Sequence, residues 1–209
     1  MERLRLPKLY PITDARLSGL SHAEQVRRLA AGGAVVVQLR EKHAPPREFL
    51  REAAEAAEVA RAVGVLLVIN DRADIALACG ARGLHLGQDD LDPAAARRVV
   101  GDDLLIGYST HNVEQAARAA RLPVDYVAVG PVFGTRTKEN PDPAVGLEGI
   151  ARVRAALGPD APLVAIGGIT LENAPAVLAA GADSVAVVSA LVAEPDEIER
   201  RTREFLARL

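Results

Sequence analysis

Short apolar runs alternate along the chain with Ala-rich segments of helical periodicity. The runs are rich in β-branched residues, and several are continuously apolar, which is typical of strands buried on both faces of a parallel sheet. They predict eight strands, at 9–13, 34–40, 65–70, 83–87, 104–109, 126–132, 162–168 and 184–189. The segments between them predict seven helices, and a further helix is predicted to close the chain at 196–207.

Several predicted helices carry their own start and stop signals. Residues 21–24 form a Ser-His-Ala-Glu capping box, and residues 92–93 place an aspartate cap before a first-turn proline. The segment 46–63 is strongly helical and is followed by Gly64, a residue suited to a helix end. These signals fix where strands give way to helices.

The strict alternation of strand and helix predicts parallel strands joined by right-handed crossovers. Eight such units in 209 residues predict a compact (β/α)8 TIM barrel, with residues 1–209 forming one domain. A doubly wound open sheet is the alternative, but it would normally stop at about five or six units.

Composition narrows the class of protein. Half of the chain is hydrophobic (49%), which provides a sizeable core, and its one cysteine, Cys79, cannot form a disulfide within the chain. A net charge of −3 and an aromatic content of 3% argue against nucleic-acid binding. No apolar stretch approaches the roughly 20 residues of a membrane span, and the N-terminus has no signal-peptide core. A cytoplasmic protein without nucleic-acid or membrane partners is expected.

Polar and glycine residues follow most of the predicted strands. In a (β/α)8 barrel the carboxyl ends of the strands build the active site. We therefore expect one site from residues that are far apart in the chain. The candidates are Gln38, Arg40, Glu41, Lys42, Asn70, Asp71, Asp90, Ser109, Thr135, Thr137, Lys138, Gly168, Val188 and Ser189.

These candidates predict two anion sites. Arg40, Lys42 and Lys138 are cations suited to a highly anionic ligand, and Asp71 and Asp90 are carboxylates able to hold Mg²⁺ beside phosphate oxygens. The glycines and Ser189 at the ends of the last two strands are suited to binding a phosphate through backbone N–H groups. Two anion sites, one with a metal, indicate two phosphorylated substrates or one bisphosphate.

Each candidate also has a purely structural interpretation. Asp71 could cap the following helix, and residues 40–42 could form an exposed charged loop. His85 could be a metal ligand, but its position between two leucines favours a hydrogen-bonded interior histidine. His22 and His43 are expected at the surface. No histidine or cysteine spacing indicates a zinc site.

Eight sequence blocks resemble, in order, those of the thiamine-phosphate synthase family. They are QLREK (38–42), IND (69–71), HLGQDD (85–90), GYSTH (107–111), GPVFGTRTK (130–138), GLEG (146–149), AIGGI (165–169) and VAVVSAL (185–191). The resemblance covers nearly the whole chain. It implies a TIM-barrel transferase that joins a pyrimidine pyrophosphate to a thiazole phosphate, giving thiamine phosphate and releasing pyrophosphate with the help of Mg²⁺.

The resemblance also implies a role for each matching position. The pyrimidine pyrophosphate would be bound by Gln38, Leu39, Arg40, Glu41, Lys42, Asn70, Ser109 and Lys138. The thiazole phosphate would be bound by Thr135, Arg136, Thr137, Gly168, Val188 and Ser189. Mg²⁺ would be held by Asp71 and Asp90, and Arg40 and Lys138 would stabilise the departing pyrophosphate.

Two alternatives stay open at this point. A thiazole tautomerase resembles this family in fold, but it carries a catalytic histidine where this chain has Pro131. Such an enzyme, or a phosphosugar isomerase on the same barrel, would need a general base, for which His85 and His111 are candidates. A non-catalytic ligand sensor is the other alternative.

Overall fold

The eight predicted strands pair in parallel and close into a barrel in chain order, with the last strand hydrogen-bonded to the first. The computed structural model describes residues 5–135 and 142–209. The strands are β1 (Leu9–Thr13), β2 (Val36–Leu39), β3 (Leu66–Asn70), β4 (Gly83–Leu86), β5 (Leu105–Thr110), β6 (Tyr126–Val129), β7 (Leu163–Ile166) and β8 (Ser184–Val187). The predicted (β/α)8 TIM barrel is confirmed, and the open-sheet alternative is wrong.

Helices connect the strands and cover the outside of the barrel. They are α1 (Ala15–Ser18), α2 (His22–Ala31), α3 (Pro46–Val63), α4 (Ala73–Ala78), α5 (Pro93–Val100), α6 (Val113–Ala119), α7 (Gly146–Leu157), α8 (Ala174–Ala179), α9 (Ser189–Val192) and α10 (Ile198–Arg208). The helix α3 has the predicted bounds, and Gly64 ends it with a φ of 74°. The short α9 begins at a residue that we expected to end a strand. Among the described helices, none is both long and apolar enough to cross a membrane.

Apolar residues form two layers, one inside the barrel and one between the barrel and its helices. Tyr10, Ile12 and Tyr126 belong to the inner layer, and Leu39, Leu84 and Ile106 to the outer one. Successive side chains of a strand point to opposite faces, so neighbours along β2 have opposite environments. This alternation decides which side chains at a strand end can reach the barrel mouth.

The same Arg–Asp arrangement occurs twice at the amino-terminal end of the barrel. Arg154 on α7 donates to the carboxylate of Asp183 at 2.6 Å, and the same Asp183 oxygen accepts from Leu163 N at 2.8 Å. Arg97 on α5 binds Asp125 at 2.7 Å in the same way. Both arginines also donate to loop carbonyl groups. These bonds satisfy backbone groups at the end of the barrel away from the predicted site.

Candidate active site

A cavity of about 320 Å³ opens at the carboxyl ends of the strands. It brings together predicted residues from β2 to β8, as the barrel topology requires. Those that line it are Gln38, Arg40, Lys42, Asn70, Asp71, Asp90, Ser109, Thr135, Gly168, Val188 and Ser189. Three other predicted site residues, Arg136, Thr137 and Lys138, lie outside the described residues.

Two predicted binding residues do not line the cavity. Leu39 is fully buried between the barrel and its helices, because it follows the inward-facing Gln38 on β2. The Glu41 side chain accepts hydrogen bonds from the backbone N–H groups of His43 and Ala44 and lies 3.5 Å from His22. Neither side chain lines the cavity, and a part of Leu39 or Glu41 in binding the pyrimidine substrate stays a prediction.

A buried hydrogen-bonded chain crosses the floor of the cavity. Gln38 Nε2 lies 3.3 Å from the Tyr10 hydroxyl, which lies 2.7 Å from the Tyr126 hydroxyl. Tyr126 in turn lies 3.0 Å from His85 Nδ1, and His85 Nε2 lies 2.9 Å from Ser109 Oγ. The chain joins two predicted binding residues that are located on β2 and β5.

Only the first donor of the chain is fixed, because the Gln38 amide nitrogen can only donate to the Tyr10 hydroxyl. Each tyrosine hydroxyl can donate or accept in the contacts that follow, and in the neutral His85 ring one nitrogen donates and the other accepts. The chain therefore holds Ser109 in place through hydrogen bonds that reach across the barrel.

His85 is an interior histidine, as the favoured alternative predicted. Its side chain is buried, and both ring nitrogens have hydrogen-bond partners. Burial lowers the pKa of His85 to about 4, against the opposing effect of the Asp90 carboxylate. The ring is therefore neutral at neutral pH, so one of its nitrogens donates a hydrogen bond and the other accepts one.

The Tyr126 ring has space only because a glycine faces it. A Cβ atom on Gly107 would overlap the Tyr126 ring, including its hydroxyl. The ring lies 5.6 Å from the His85 ring and 6.0 Å from the Tyr10 ring, measured between centroids. The glycine of the GYSTH block thus permits the polar chain to form.

Cationic side chains at the ends of β2 are held by acidic partners. Arg40 Nη1 lies 3.3 Å from the carboxylate of Asp14, which also caps α1 through its bond from Leu17 N. Lys42 forms an ion pair with Asp71. Both cations line the cavity, so the partners position positive charge at its mouth.

Asp71 has an unusual backbone and an unusual carboxyl group. Its φ of 66° lies in the left-handed region, where it is the sole non-glycine residue within the described ranges. Its N–H donates to His85 O at 2.7 Å, which fixes this conformation. Burial raises the pKa of Asp71 to about 6, and a hydrogen bond with Asp90 adds to this, against the effect of Lys42. Strain and a perturbed carboxyl group are both typical of functional positions.

The Asp71–Asp90 pair fits a divalent cation. The two carboxyl groups interact directly in a half-buried site, and Asp90 is held by a bond of 2.6 Å from Gly87 N. Two facing carboxylates repel each other unless a proton or a cation lies between them. Mg²⁺ commonly takes one or two protein carboxylates and completes its shell with water and substrate phosphate oxygens. The donor set therefore matches the ion that the sequence predicted.

The opposite side of the cavity is formed by backbone. Gly168 has a φ of 65°, and a Cβ atom there would come within 2.6 Å of Gly134 O. The Gly168 carbonyl accepts from Asn173 Nδ2 at 3.0 Å. Ser189 begins α9 directly after β8, and the first N–H groups of a helix have no partner within it. A small anion could be held here by backbone donors.

Sequence reasoning missed the two tyrosines of the floor. Tyr10 and Tyr126 lie on strands that are distant in the chain, and their contact requires the barrel to be closed. The sequence signal that could have found them is a tyrosine hydroxyl within an otherwise apolar strand, because a buried hydroxyl needs a hydrogen-bond partner. His22 was also misplaced, since it is 1% exposed rather than at the surface.

Comparison of the sequence with known proteins points to one protein family. The profile of a protein family described as thiamine monophosphate synthase matches residues 9–191. The chain is 47% identical to a thiamine-phosphate synthase of Koribacter versatilis, over 97% of this chain and 96% of that protein. It is 48% identical to a protein of the same name from Chloroflexus aurantiacus, over 96% and 91% of the two chains.

One solved structure is similar to this chain in both fold and sequence. A thiamine phosphate pyrophosphorylase from Pyrococcus furiosus is 36% identical and superposes with a TM-score of 0.86. The match covers 96% of this chain and 94% of that chain.

Proposed function

The chain belongs to the thiamine monophosphate synthase family, and on this premise we propose how its cavity performs the family's reaction. The reaction is the condensation of an aminopyrimidine that carries a pyrophosphate with a thiazole phosphate, which gives thiamine phosphate. The chemical problem is to break the C–O bond to pyrophosphate and to form a C–N bond to the thiazole. The lone pair of the thiazole nitrogen replaces the electron pair that leaves with pyrophosphate.

Positive side chains at the ends of β2 receive the departing pyrophosphate. Arg40 and Lys42 lie at the cavity mouth and donate to oxygens on which negative charge accumulates. Lys138 supplies a third cation in the same role. The acidic partners Asp14 and Asp71 hold Arg40 and Lys42 in place before substrate arrives, which is the preorganisation that electrostatic catalysis requires.

Asp71 and Asp90 hold Mg²⁺ in this proposal. When bound, the ion supplies charge neutralisation for the pyrophosphate oxygens. The Asp71 carboxyl group is hydrogen-bonded to Asp90, and Gly87 N fixes Asp90. Binding would also relieve the repulsion between the two carboxylates.

The pyrimidine lies above the polar chain on the cavity floor. Ser109 donates its hydroxyl proton to the substrate, and Gln38 offers its carbonyl oxygen from the other end of the chain. Asn70 lines the wall between them. The electron-rich ring stabilises the cation that forms when pyrophosphate departs, so no nucleophilic side chain is needed.

The thiazole phosphate lies across the barrel from the cations. Gly168, Val188 and Ser189 bind it through backbone N–H groups and the Ser189 hydroxyl, together with Thr135. Arg136 and Thr137 complete this site. The anchor places the thiazole nitrogen beside the cation and makes its capture effectively unimolecular.

The observation that supports this assignment best is the division of the cavity. Cations and paired carboxylates lie at the ends of β2 to β4, and a backbone anion cradle lies opposite, at the ends of β7 and β8. This arrangement suits two phosphorylated substrates. A tautomerase is not favoured, because this chain has Pro131 where the resemblance gives that enzyme its catalytic histidine.

The test is to incubate the purified chain with both substrates and Mg²⁺ and to quantify thiamine phosphate and pyrophosphate. We expect equal amounts of both products, none with either substrate alone, and none after EDTA. Undiminished turnover in EDTA would contradict the role of Mg²⁺. A changed thiazole or tight binding without condensation would instead identify a tautomerase or a sensor.

A further inference from the structure

A second cluster of ionisable side chains lies outside the cavity, on the other side of the loop that follows β2. It consists of His22 on α2, Glu41 in the loop and Glu52 on α3. His22 Nε2 lies 3.5 Å from Glu41 Oε2 and 3.9 Å from Glu52 Oε2, and the three ligand atoms lie within 4.8 Å of one another. Within residues 5–135 and 142–209, no other group of three such side chains converges in this way.

The surroundings fix the orientation of each of these side chains. Glu41 Oε1 accepts from the backbone N–H groups of His43 and Ala44, at 2.5 and 3.0 Å, so Oε2 is turned toward His22. The Arg51 guanidinium lies 3.8 Å from Glu52 Oε1, which leaves Oε2 facing the cluster. The His22 side chain is fully buried and the Glu41 side chain is 9% exposed. The cluster is thus arranged by its surroundings rather than by free rotation at the surface.

The hydrogen bonds of His22 are compatible with a proton on either ring nitrogen. Thr13 Oγ1 lies 3.4 Å from the Gln38 carbonyl and 2.8 Å from His22 Nδ1, so it can donate to the carbonyl while it accepts from Nδ1. In that tautomer Nε2 carries a lone pair that faces two carboxylate oxygens, and this is the tautomer that a metal ion would select. In the other tautomer the Nε2 proton is directed at Glu41.

With Nδ1 protonated, three electron pairs converge on one point, and a cation between them relieves their repulsion. A histidine that donates from one ring nitrogen to a neighbouring oxygen, and presents the other to acidic groups, has the arrangement typical of metal ligands in proteins. The separations indicate the kind of ion. Tetrahedral Zn²⁺ with bonds of about 2.1 Å places its ligand atoms about 3.4 Å apart, whereas octahedral Mg²⁺ places adjacent ligands about 2.9 Å apart.

We propose that His22, Glu41 and Glu52 bind a zinc ion, with water as the fourth ligand. The fully buried imidazole and the separations of 3.5 and 3.9 Å match zinc better than magnesium. The Glu52 side chain is 24% exposed, which gives water access to the fourth position.

The bound ion joins α2, α3 and the loop after β2. Glu41 stands between Arg40 and Lys42, both of which line the cavity. Zinc would therefore restrain the segment that carries two cations of the active site without entering the cavity itself. The ion lies outside the cavity in this proposal and takes no part in the condensation.

The test compares zinc binding by the wild type with binding by variants inside and outside the cluster. The wild-type chain is freed of metal with a chelator, kept in excess Mg²⁺ and titrated with ZnCl₂, with binding followed by calorimetry and by metal analysis after dialysis. Glu52→Gln removes one ligand charge at a partly exposed position. The matched control is Glu55→Gln, because Glu55 lies on the same helix and pairs with Arg51 at the surface.

We expect one zinc ion per wild-type chain at the cluster, an unchanged affinity in Glu55→Gln, and at least a tenfold weaker affinity in Glu52→Gln. Asp71→Asn should still bind zinc, which separates this site from the cavity. Zinc should raise the melting temperature of the wild type and of Glu55→Gln, and it should not raise that of Glu52→Gln. Equal zinc affinity in the wild type and in Glu52→Gln, or no binding by the wild type, would overturn the proposal.

Discussion

His85 Nε2 lies 2.9 Å from Ser109 Oγ, within hydrogen-bond distance, and its ring is buried beneath the cavity. The contact joins β4 to β5 and ends the polar chain that begins at Gln38. It holds the Ser109 hydroxyl in place at the cavity. The state of the His85 ring is therefore linked to both stability and function.

Acidification should destabilise the fold through His85. Burial lowers the pKa of His85 to about 4, from 6.5 in an unfolded chain. Between these values the unfolded state binds a proton that the native state does not, so the free energy of unfolding falls as the pH falls from 6.5 to 4. The loss attributable to this group is about 3 kcal/mol. Urea unfolding at a series of pH values measures it.

The matched control for this titration is His85→Gln. Other groups whose pKa values change on folding, such as His22, contribute equally to both proteins and cancel in the difference. The wild type should lose stability relative to the variant as the pH is lowered. Parallel curves would show that His85 does not carry the effect.

Removal of the Tyr126 hydroxyl should interrupt the polar chain. In Tyr126→Phe the Tyr10 hydroxyl and His85 Nδ1 lose their common partner, and buried polar groups without partners cost about 1–3 kcal/mol each. We expect a loss of stability of that order and at least a tenfold fall in kcat/KM, since the His85 ring beside Ser109 loses one of its two hydrogen-bond partners. Tyr108→Phe, on β5 but outside the chain, should be close to wild type in both measurements.

Replacement of Arg40 should affect turnover far more than folding. We expect Arg40→Ala to lower kcat/KM at least 100-fold, because a positive charge facing the leaving pyrophosphate is lost. The ion pair with Asp14 is partly exposed, so the melting temperature should change by no more than about 2 °C. Arg47→Ala, at an exposed position nearby, is the control. Equal losses of activity and stability would contradict the assignment.

Asp71→Asn should likewise lower activity without lowering stability. Asparagine tolerates the left-handed backbone at φ 66° and removes one of two facing carboxylates. We expect the melting temperature to be maintained and the Mg²⁺-dependent activity to fall at least tenfold. Asp71→Val is the contrasting variant, since a β-branched residue is strained there and should lower the melting temperature by several degrees. Full activity of Asp71→Asn at low Mg²⁺ would exclude a metal role.

At the other end of the barrel, Arg154→Ala should lower stability without affecting the chemistry. It removes a charge-assisted bond to Asp183 and several bonds to loop carbonyls. A loss of about 2–4 kcal/mol is expected, with kcat/KM unchanged for the protein that remains folded. Arg152→Ala, at an exposed position of the same helix, should unfold like the wild type. A selective loss of activity would contradict this division of roles.

The fold was predictable because each strand is locally recognisable. Continuous apolar runs such as VLLVIN, together with caps such as Ser21 and stops such as Gly64, mark strands and helices without any knowledge of their partners. The barrel mouth then followed from parallel topology alone. Arg40, Asp71 and Ser109 were placed correctly at that mouth for this reason.

What was missed depends on contacts that only the closed barrel creates. His22 follows a capping serine and resembles an exposed first-turn residue, but its ring turns inward to Thr13. Leu39 and Glu41 belong to a block that includes true cavity residues, and their directions depend on strand pleat and loop conformation. The Tyr10–Tyr126 contact joins residues far apart in the chain, and no local pattern encodes it.

The two Arg–Asp ion pairs lie at the amino-terminal end of the barrel, so the two ends can evolve separately. Because Arg97 and Arg154 stabilise that end through local bonds, loops at the carboxyl-terminal end can be exchanged without weakening the barrel. Laboratory evolution toward new heterocycles should therefore begin from libraries confined to the upper loops. Thermal stability can be improved independently, through substitutions at the amino-terminal end of the barrel.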